Sequence, residues 1–450
     1  MSEPVSIRVV YGYEAAHEAL RRKGGLESLE LSEGARNGIQ RVFGEPLTAE
    51  QVVGRIISEV RERGDEALRR YSREIDRVEL DRIEVPKPEW KEAFDAIDAD
   101  LREAMVLAAD QIRSFHEKQK RTSWIDFGPE GALGQIIRPL ECIGVYAPGG
   151  SAVYPSSLLM TAVPGKVAGV EEIVVASPPG PNGVSPLILA AAHVAEVDRV
   201  FQIGGAQAIA ALAYGTETVP RVDKVFGPGN IFVVLAKRQV FGQVAIDQLP
   251  GPTETVVVAD TSADPKLTAA DMLAQAEHDG MASAILITTS ERLAHRVQIE
   301  LALQLAQLER ESIARESLAA NGVIVVVPTV EEAIELANLY APEHLCLLLR
   351  NPWDAVSLVK HAGGIFVGEG SPEALGDYTA GPSHVMPTGG TARFFSPINV
   401  GDFTKVISLA AANERALNRL GPATIALAKA EGLGAHARAI ELRLEQVAPD

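Results

Sequence analysis

Cys142-Ile-Gly-Val-Tyr-Ala-Pro-Gly-Gly150 decides the class of the fold. A short apolar run, Ile143 to Tyr146, reads as a strand and ends in a glycine turn. Pro155 and Ser156 then mark a second turn, and Ser157-Leu-Leu-Met160 opens a helix. The figure repeats downstream. Ile173–Ala176, Val200–Ile203 and Lys224–Phe226 read as further strands, and helical stretches around Pro186–Val194, Ala206–Tyr214 and Phe232–Val240 fall between them. Strands alternating with helices predict a parallel sheet of α/β type.

The same alternation continues outward. Thr255–Val258, Ile285–Ile287, Val323–Val327, Leu345–Leu349 and Ile365–Val367 are strand-like runs with helices between, so a second α/β layer is expected. Toward the N-terminus, Val52, Val53, Ile56, Ile57 and Val60 recur at helical spacing over Thr48–Tyr71, interrupted at Gly64-Asp65. A long helix is expected over Pro88–Lys118, with Phe94, Ile97, Leu101, Met105 and Ala108 on one face and His116 solvated near its end. Arg21, Arg22, Lys23 and Gly24 close a short helix within a polar segment 1–37. The expected organisation is two Rossmann-like parallel-sheet domains, one inserted in the other: 38–141 with 254–400, and an inserted 142–253. Small helical extensions are expected at 1–37 and 401–450.

At 450 residues the chain can bury a large core, and about two to four domains are expected. Its 46% hydrophobic and 23% charged residues are those of a soluble globular protein. A net charge of −18 argues against nucleic acid or an anionic membrane as the main partner. The two cysteines, Cys142 and Cys346, sit in apolar runs and read as reduced core residues. The first 25 residues carry charges throughout with no apolar signal region, and Cys142–Gly165 is broken by prolines and glycines. A cytoplasmic enzyme is the expectation.

Glu343-His344 lies between a helix and a strand. Thr329 and Glu332 form a capping-box pattern, Pro342 stops the helix, and Leu345-Cys-Leu-Leu-Leu349 follows as a buried strand. A carboxylate beside an imidazole suits general base chemistry, although a surface dipeptide has the same sequence. Three glycine turns, Tyr146-Ala-Pro-Gly-Gly150, Gly204-Gly-Ala-Gln207 and Phe226-Gly-Pro-Gly-Asn230, follow strands where open α/β sheets bind ligands. None completes G-x-G-x-x-G, so ordinary tight turns remain an open reading. Gln275-Ala-Glu-His278 is placed on a helix begun by Asp264 and Pro265 and ended by Gly280, with Gln275 and His278 on one face. Asp377 in a Gly/Pro-bounded loop, His384, Glu431 and His436 complete a scattered set that forms one divalent metal site only if the fold gathers it. His17, His193, His295 and His361 are assigned no role.

Gly144-Val-Tyr-Ala-Pro-Gly-Gly150, Gly204-Gly-Ala-Gln-Ala-Ile-Ala-Ala211, Val225-Phe-Gly-Pro-Gly-Asn230, Gly251-Pro-Thr-Glu254, Gln275-Ala-Glu-His278, Ala341-Pro-Glu-His-Leu345 and Gly376-Asp-Tyr378, in this order, resemble the histidinol dehydrogenase family over nearly the whole chain. The resemblance implies oxidation of L-histidinol through L-histidinal to L-histidine with two NAD⁺, the last step of histidine biosynthesis. It implies one Zn²⁺ per subunit held by Gln275, His278 and Asp377 of one subunit and His436 of the other. It places the catalytic pair on Glu343 and His344. Substrate contacts fall on Thr253, His384 and Glu431, with His344 and the metal ligands, and NAD contacts on Tyr146, Gln207 and Asn230. It implies a homodimer with shared active sites, the catalytic and metal residues in 38–141 with 254–400, the NAD site in 142–253, and a tail, 401–450, that completes the partner's site. The family usually has Ser where this chain has Thr253, which keeps the hydroxyl and adds a methyl. By the same resemblance His344 takes the alcohol proton, Glu343 activates water on the aldehyde, and the metal orients substrate. A paralogous zinc and NAD-dependent dehydrogenase of another polyol is the rival, and it should lack His384 and Glu431.

Overall fold

A computed structural model describes residues 6–22, 31–149 and 153–446. It is an α/β protein of two six-stranded sheets and one three-stranded sheet. The first sheet is parallel throughout, in the order Arg8–Tyr11, Val323–Val326, Ser283–Thr288, Glu254–Ala259, His344–Leu348, Gly364–Val367. Its two strands Glu254–Ala259 and His344–Leu348 are buried along their whole length. Both faces are therefore covered. Pro265–Ala276, Glu291–Leu305 and Glu311–Asn321 pack on one, and Tyr13–Ala19 and Val330–Tyr340 on the other. That is why these strands read as unbroken apolar runs rather than as alternating ones.

The second sheet runs Glu84–Val85, Arg199–Phe201, Glu172–Ala176, Cys142–Tyr146, Lys224–Phe226, Ala245–Ile246. Only its edge strand Glu84–Val85 is antiparallel. Ala49–Arg63, Gly205–Tyr214 and Ile231–Val240 cover one face, and Ala99–Glu117, Pro155–Ala168 and Pro186–Val194 the other. The third sheet, Trp124–Gly128, Gly131–Pro139 and Thr404–Ala412, is antiparallel and mostly exposed. After it come two helices, Glu414–Ala430 and Gly434–Leu444. We call Thr404–Leu444 the arm. Among the described residues no helix is long and apolar enough to cross a membrane.

Several expectations need correction. The segment 38–141, expected to join 254–400, instead packs its helices on the second sheet, where Val53, Ile56 and Val60 share a core with Ala208, Leu212 and Val233, and gives two strands to the third. The polar segment 1–37, expected to be helical, contributes a strand, Arg8–Tyr11, at the edge of the first sheet beside Val323–Val326. Of the four residues closing its short helix, Lys23 and Gly24 lie outside the described residues, as does Gly150 of the first glycine turn. The tail is not wholly helical, since it begins with a nine-residue strand. The helix expected over Pro88–Lys118 is two helices, Lys87–Ala96 and Ala99–Glu117, because Ile97 turns to extended backbone. His116 is fully buried rather than solvated, with Nδ1 2.8 Å from Ile112 O. The Gly376-Asp-Tyr378 stretch is helical, in Glu373–Tyr378.

Candidate active site

The register of the first sheet sets the site. Thr255 pairs with His344, so Glu254-Thr255 and Glu343-His344 lie side by side where those strands begin. Thr329 Oγ1 accepts from Glu332 N at 3.2 Å and starts the helix Val330–Tyr340. Ala341 ends that helix at φ +52°, a left-handed conformation costly for a residue with a Cβ, on the order of 1–3 kcal/mol. Pro342 excludes a further helical turn. The chain thus turns sharply and delivers Glu343 and His344 into a buried position.

Glu343 is 7% exposed. Its Oε2 accepts from Glu254 N at 3.0 Å and from the Thr253 hydroxyl. Thr253 therefore holds the carboxylate directly through its hydroxyl. Burial pushes Glu343 up from the ordinary carboxylate range. His344 Nδ1 lies 3.3 Å from Glu254 O, an atom that only accepts, so Nδ1 carries the hydrogen. Nε2 is left as the free ring nitrogen, 3.4 Å from Asp377 Oδ1. Burial pushes His344 down, but Glu343, Asp377 and Glu373 outweigh it and raise it overall. The outcome is an imidazole aimed by a backbone carbonyl and surrounded by carboxylates.

His384 and His278 flank this pair. His384 Nδ1 lies 2.7 Å from Asp377 O, which again makes it the protonated nitrogen, and Nε2 lies 3.0 Å from Ser157 Oγ. Burial holds His384 below its ordinary value, and the same holds for His278. His278 stands just past the helix Pro265–Ala276, not on it: the helix ends at Ala276, and His278 N reaches Gln275 O at 3.3 Å in the closing turn. His278, Asp377, His344 and His384 all lie near enough to perturb one another electrostatically.

A cavity of about 520 Å³ opens beside His278. It is lined from the first sheet by His278 and Arg310, and from the second by Tyr146, Gly205, Gln207 and Asn230. The glycine turns at the carboxyl ends of the second sheet thus face the amino ends of strands in the first. Tyr146 OH accepts from Gly205 N at 3.0 Å. Asn230 Oδ1 caps the helix Ile231–Val240 through Phe232 N at 3.0 Å and Val233 N at 3.2 Å. A Cβ on Gly227 would sit 2.2 Å from Tyr146 O, and the residue has φ +106°, so only glycine fits this turn. The buried pair Lys237–Asp247 holds both its backbone groups: Asp247 Oδ2 accepts from Gly227 N at 2.7 Å, and Lys237 Nζ donates to Gly227 O at 2.9 Å.

Metal donors of the kinds zinc accepts are present but incomplete. Gln275, His278 and Asp377 supply an amide, an imidazole and a carboxylate. Gln275 Nε2 is a buried amide atom without a partner, so the amide has a free end to offer. Among the described residues no group of three or more His, Cys, Asp or Glu is close enough to hold a metal by itself. Glu431 and His436 are not part of the cluster. Both are exposed, around the turn between the two helices of the arm, and among the described residues no side-chain hydrogen bond or ion pair joins either to the cleft.

Four neighbours of the site have no counterpart in the sequence motifs. Glu373 is buried at 1% exposure beneath His344. Ser157 holds His384. Arg22 binds Glu254 Oε2 at 2.6 Å and stacks 3.9 Å over the Tyr340 ring. Asp76 meets Gln207 Nε2 at 3.4 Å in the cavity wall. Only Glu254, the partner of Arg22, carries a signal, as the acidic end of Gly251-Pro-Thr-Glu254.

The family model for histidinol dehydrogenase matches residues 43–444. The chain is 53% identical over 442 residues to histidinol dehydrogenase of Deinococcus radiodurans, covering 98% of this chain and 100% of that one. It is 52% identical over 400 residues to that of Bacillus cereus, covering 89% and 93%. The crystal structure of histidinol dehydrogenase from Elizabethkingia anophelis superposes with a TM-score of 0.91 at 32% identity, covering 99% of each chain.

Proposed function

Because the chain belongs to the histidinol dehydrogenase family of NAD-dependent oxidoreductases, we propose that it carries out the four-electron oxidation of L-histidinol to L-histidine, the last step of histidine biosynthesis. The observation that carries this reading is the buried pair Glu343-His344, with Nε2 of His344 free and with His278, which feels its charge, lining a cavity walled by the glycine turns. In the first oxidation Nε2 takes the hydroxyl proton of the alcohol while the hydride on the same carbon leaves to NAD⁺, giving the aldehyde, NADH and a proton on His344. In the second, Glu343 takes a proton from water as its oxygen adds to the aldehyde, and the proton held on His344 passes to the aldehyde oxygen, giving the hydrate and a neutral His344. His344 then accepts a hydroxyl proton of the hydrate as the remaining hydride leaves to a second NAD⁺. The products are the carboxylic acid and a second NADH. Thr253 and Glu254 N hold Glu343 for this step, and Glu254 O holds the His344 tautomer.

Gln275, His278 and Asp377, with His436 of a second copy, would hold one Zn²⁺, which supplies a template that orients the substrate's nitrogens. Tyr146, Gln207 and Asn230 would contact NAD⁺. Substrate would be held by Thr253, His384 and Glu431. The reading thus includes a homodimer with shared sites, an enzyme of the cytoplasm, and an NAD site in the inserted sheet. The test is stoichiometry on L-histidinol and on a panel of other diols. Two NADH per L-histidinol are expected; one NADH with accumulating aldehyde, or a better diol in the panel, would overturn the reading.

A further inference from the structure

Thr255, Gln275 and Glu373 form a chain of three buried polar side chains behind the metal donors, each at most 1% exposed. The Thr255 hydroxyl lies 2.6 Å from Gln275 Oε1 and 2.5 Å from Glu373 Oε2. A hydroxyl has one hydrogen, so it can donate to only one of these two oxygens. Oxygen and nitrogen of an amide are interchangeable by a half-turn, so the bond network decides which way Gln275 faces. Two arrangements satisfy the chain. In one, Glu373 is a carboxylate, Thr255 donates to it, and Gln275 gives its NH₂ to the Thr255 lone pair. The amide oxygen then occupies the end that has no protein partner. In the other, a protonated Glu373 donates to Thr255, Thr255 donates to the amide oxygen, and the NH₂ is buried without an acceptor. The second leaves buried donors unmet, at a cost of about 1–3 kcal/mol, and turns them toward any cation. The first presents an oxygen ligand.

We propose that Glu373, acting through Thr255, is the positioning residue that turns the Gln275 amide oxygen outward as a metal ligand. The proposal rests on the reading of Gln275 as a ligand given above. Placement supports it from a second direction. Glu373 and Asp377 are four residues apart on one short helix and so project from the same side. Thr255 is the register partner of His344. One carboxylate thus braces the elements that carry Asp377, His344 and Gln275.

The hydroxyl makes an unusual prediction. Glu373→Met removes the acceptor, so the Thr255 hydrogen goes to the Gln275 oxygen and holds the wrong end of the amide outward. Thr255→Val removes the hydroxyl and frees the amide to rotate. Zinc affinity, measured on the full-length enzyme by competition with a chromophoric chelator, should fall about tenfold in Thr255→Val and about a hundredfold in Glu373→Met, the range usual for groups that orient ligands. Thr255→Ser should stay near wild type. Adding Thr255→Val to Glu373→Met should raise affinity back toward the Thr255→Val level. Co²⁺ loaded in place of zinc should show the same order in its visible absorption, which reports the donor set without turnover. If Gln275→Ala weakens zinc while Thr255→Val and Glu373→Met do not, the relay is wrong and the ligand reading stands. If Gln275→Ala also has no effect, Gln275 is no ligand and the relay falls with it. A double variant weaker than Glu373→Met alone shows a packing role and likewise overturns the relay.

Discussion

In the cleft, Glu343, His344, Glu373 and Gln275 are all buried and each has a defined hydrogen-bond geometry. In the arm, Glu431 and His436 stand exposed on a helical hairpin whose own core is thin: of the second helix, Gly434–Leu444, only Ala437 is buried. The contrast bears on how a site acquires its chemistry. Desolvation and neighbouring charge set a proton affinity, and the cleft has both. Glu431 and His436 face solvent until something covers them. The arm and the sheet it joins expose apolar side chains as well: Leu427 is 66% exposed, Phe127 80% and Leu133 64%. In the proposed homodimer the arm of a second copy would lie over this cleft and bring the two halves together.

The largest expected effects break that division of labour. His344→Asn removes the cleft's base and His436→Asn removes the arm's imidazole; each alone should lower turnover by about 10²–10⁴-fold. Mixed and allowed to exchange subunits, the two inactive proteins should recover toward about a quarter of wild-type activity, since roughly half the dimers are mixed and one of two sites in each is intact. No recovery after demonstrated exchange would place His436 in its own subunit's site. Within the cleft, Glu343→Gln should slow aldehyde oxidation by about 10²-fold or more while sparing alcohol oxidation more. Equal losses in the two steps, measured separately with L-histidinol and L-histidinal, would remove Glu343 from the role of activating water.

Next comes stability. Leu286 is fully buried in the first sheet, so Leu286→Ala should cost about 2–5 kcal/mol through lost transfer energy and a cavity. Leu427→Ala, at an exposed position, should leave the unfolding free energy of a subunit within about 0.5 kcal/mol and act instead on association. Activity of Leu427→Ala that falls on dilution, where wild type holds, is the expected signature. An unchanged dilution profile with a large loss of unfolding energy would mean that Leu427 belongs to the subunit's own core.

The same contrast explains which features the amino-acid sequence makes legible. Strands such as Ile173–Ala176 and Val323–Val326 are apolar on both faces, and the helix Ala49–Arg63 carries its own period and a complete capping box. Local sequence specifies such elements, and their expected limits fall within a residue or two of the observed ones. Which sheet the helix covers depends on packing between distant segments, so the expected partner of 38–141 is the wrong one. Thr404–Ala412 hides its strand character because it is exposed on an antiparallel sheet and rich in alanine. In the site, the motif residues are legible one by one. Glu373, Ser157 and Asp76 are not, because a lone carboxylate or hydroxyl acquires meaning only from what it touches. His116 misleads for the same reason: a histidine on a mixed helix face looks solvated until Ile398, 282 residues away, is found beside it.

His116 also supplies the smallest effect, at the joint between cleft and arm. Its helix packs against the segment that leads from His384 to the strand Thr404–Ala412, and its Nε2 lies 3.4 Å from Ile398 O. Burial outweighs its two backbone contacts and holds the imidazole below its ordinary value. In the unfolded chain it titrates near about 6.5. Above that pH both states are neutral and His116 adds no pH dependence. As pH falls through about 6.5 the unfolded chain takes up the proton first, so stability is lost progressively until the folded imidazole is also protonated. The loss amounts to about 1.4 kcal/mol for each unit by which folding lowers the affinity. His116→Gln keeps a polar side chain and has no such titration. The unfolding free energies of the two proteins, compared at each pH from 8 to 5, should therefore converge as pH falls, with wild type losing the more. A constant difference across that range would show that His116 keeps the same proton affinity folded and unfolded, and that the joint is as open to water as the arm.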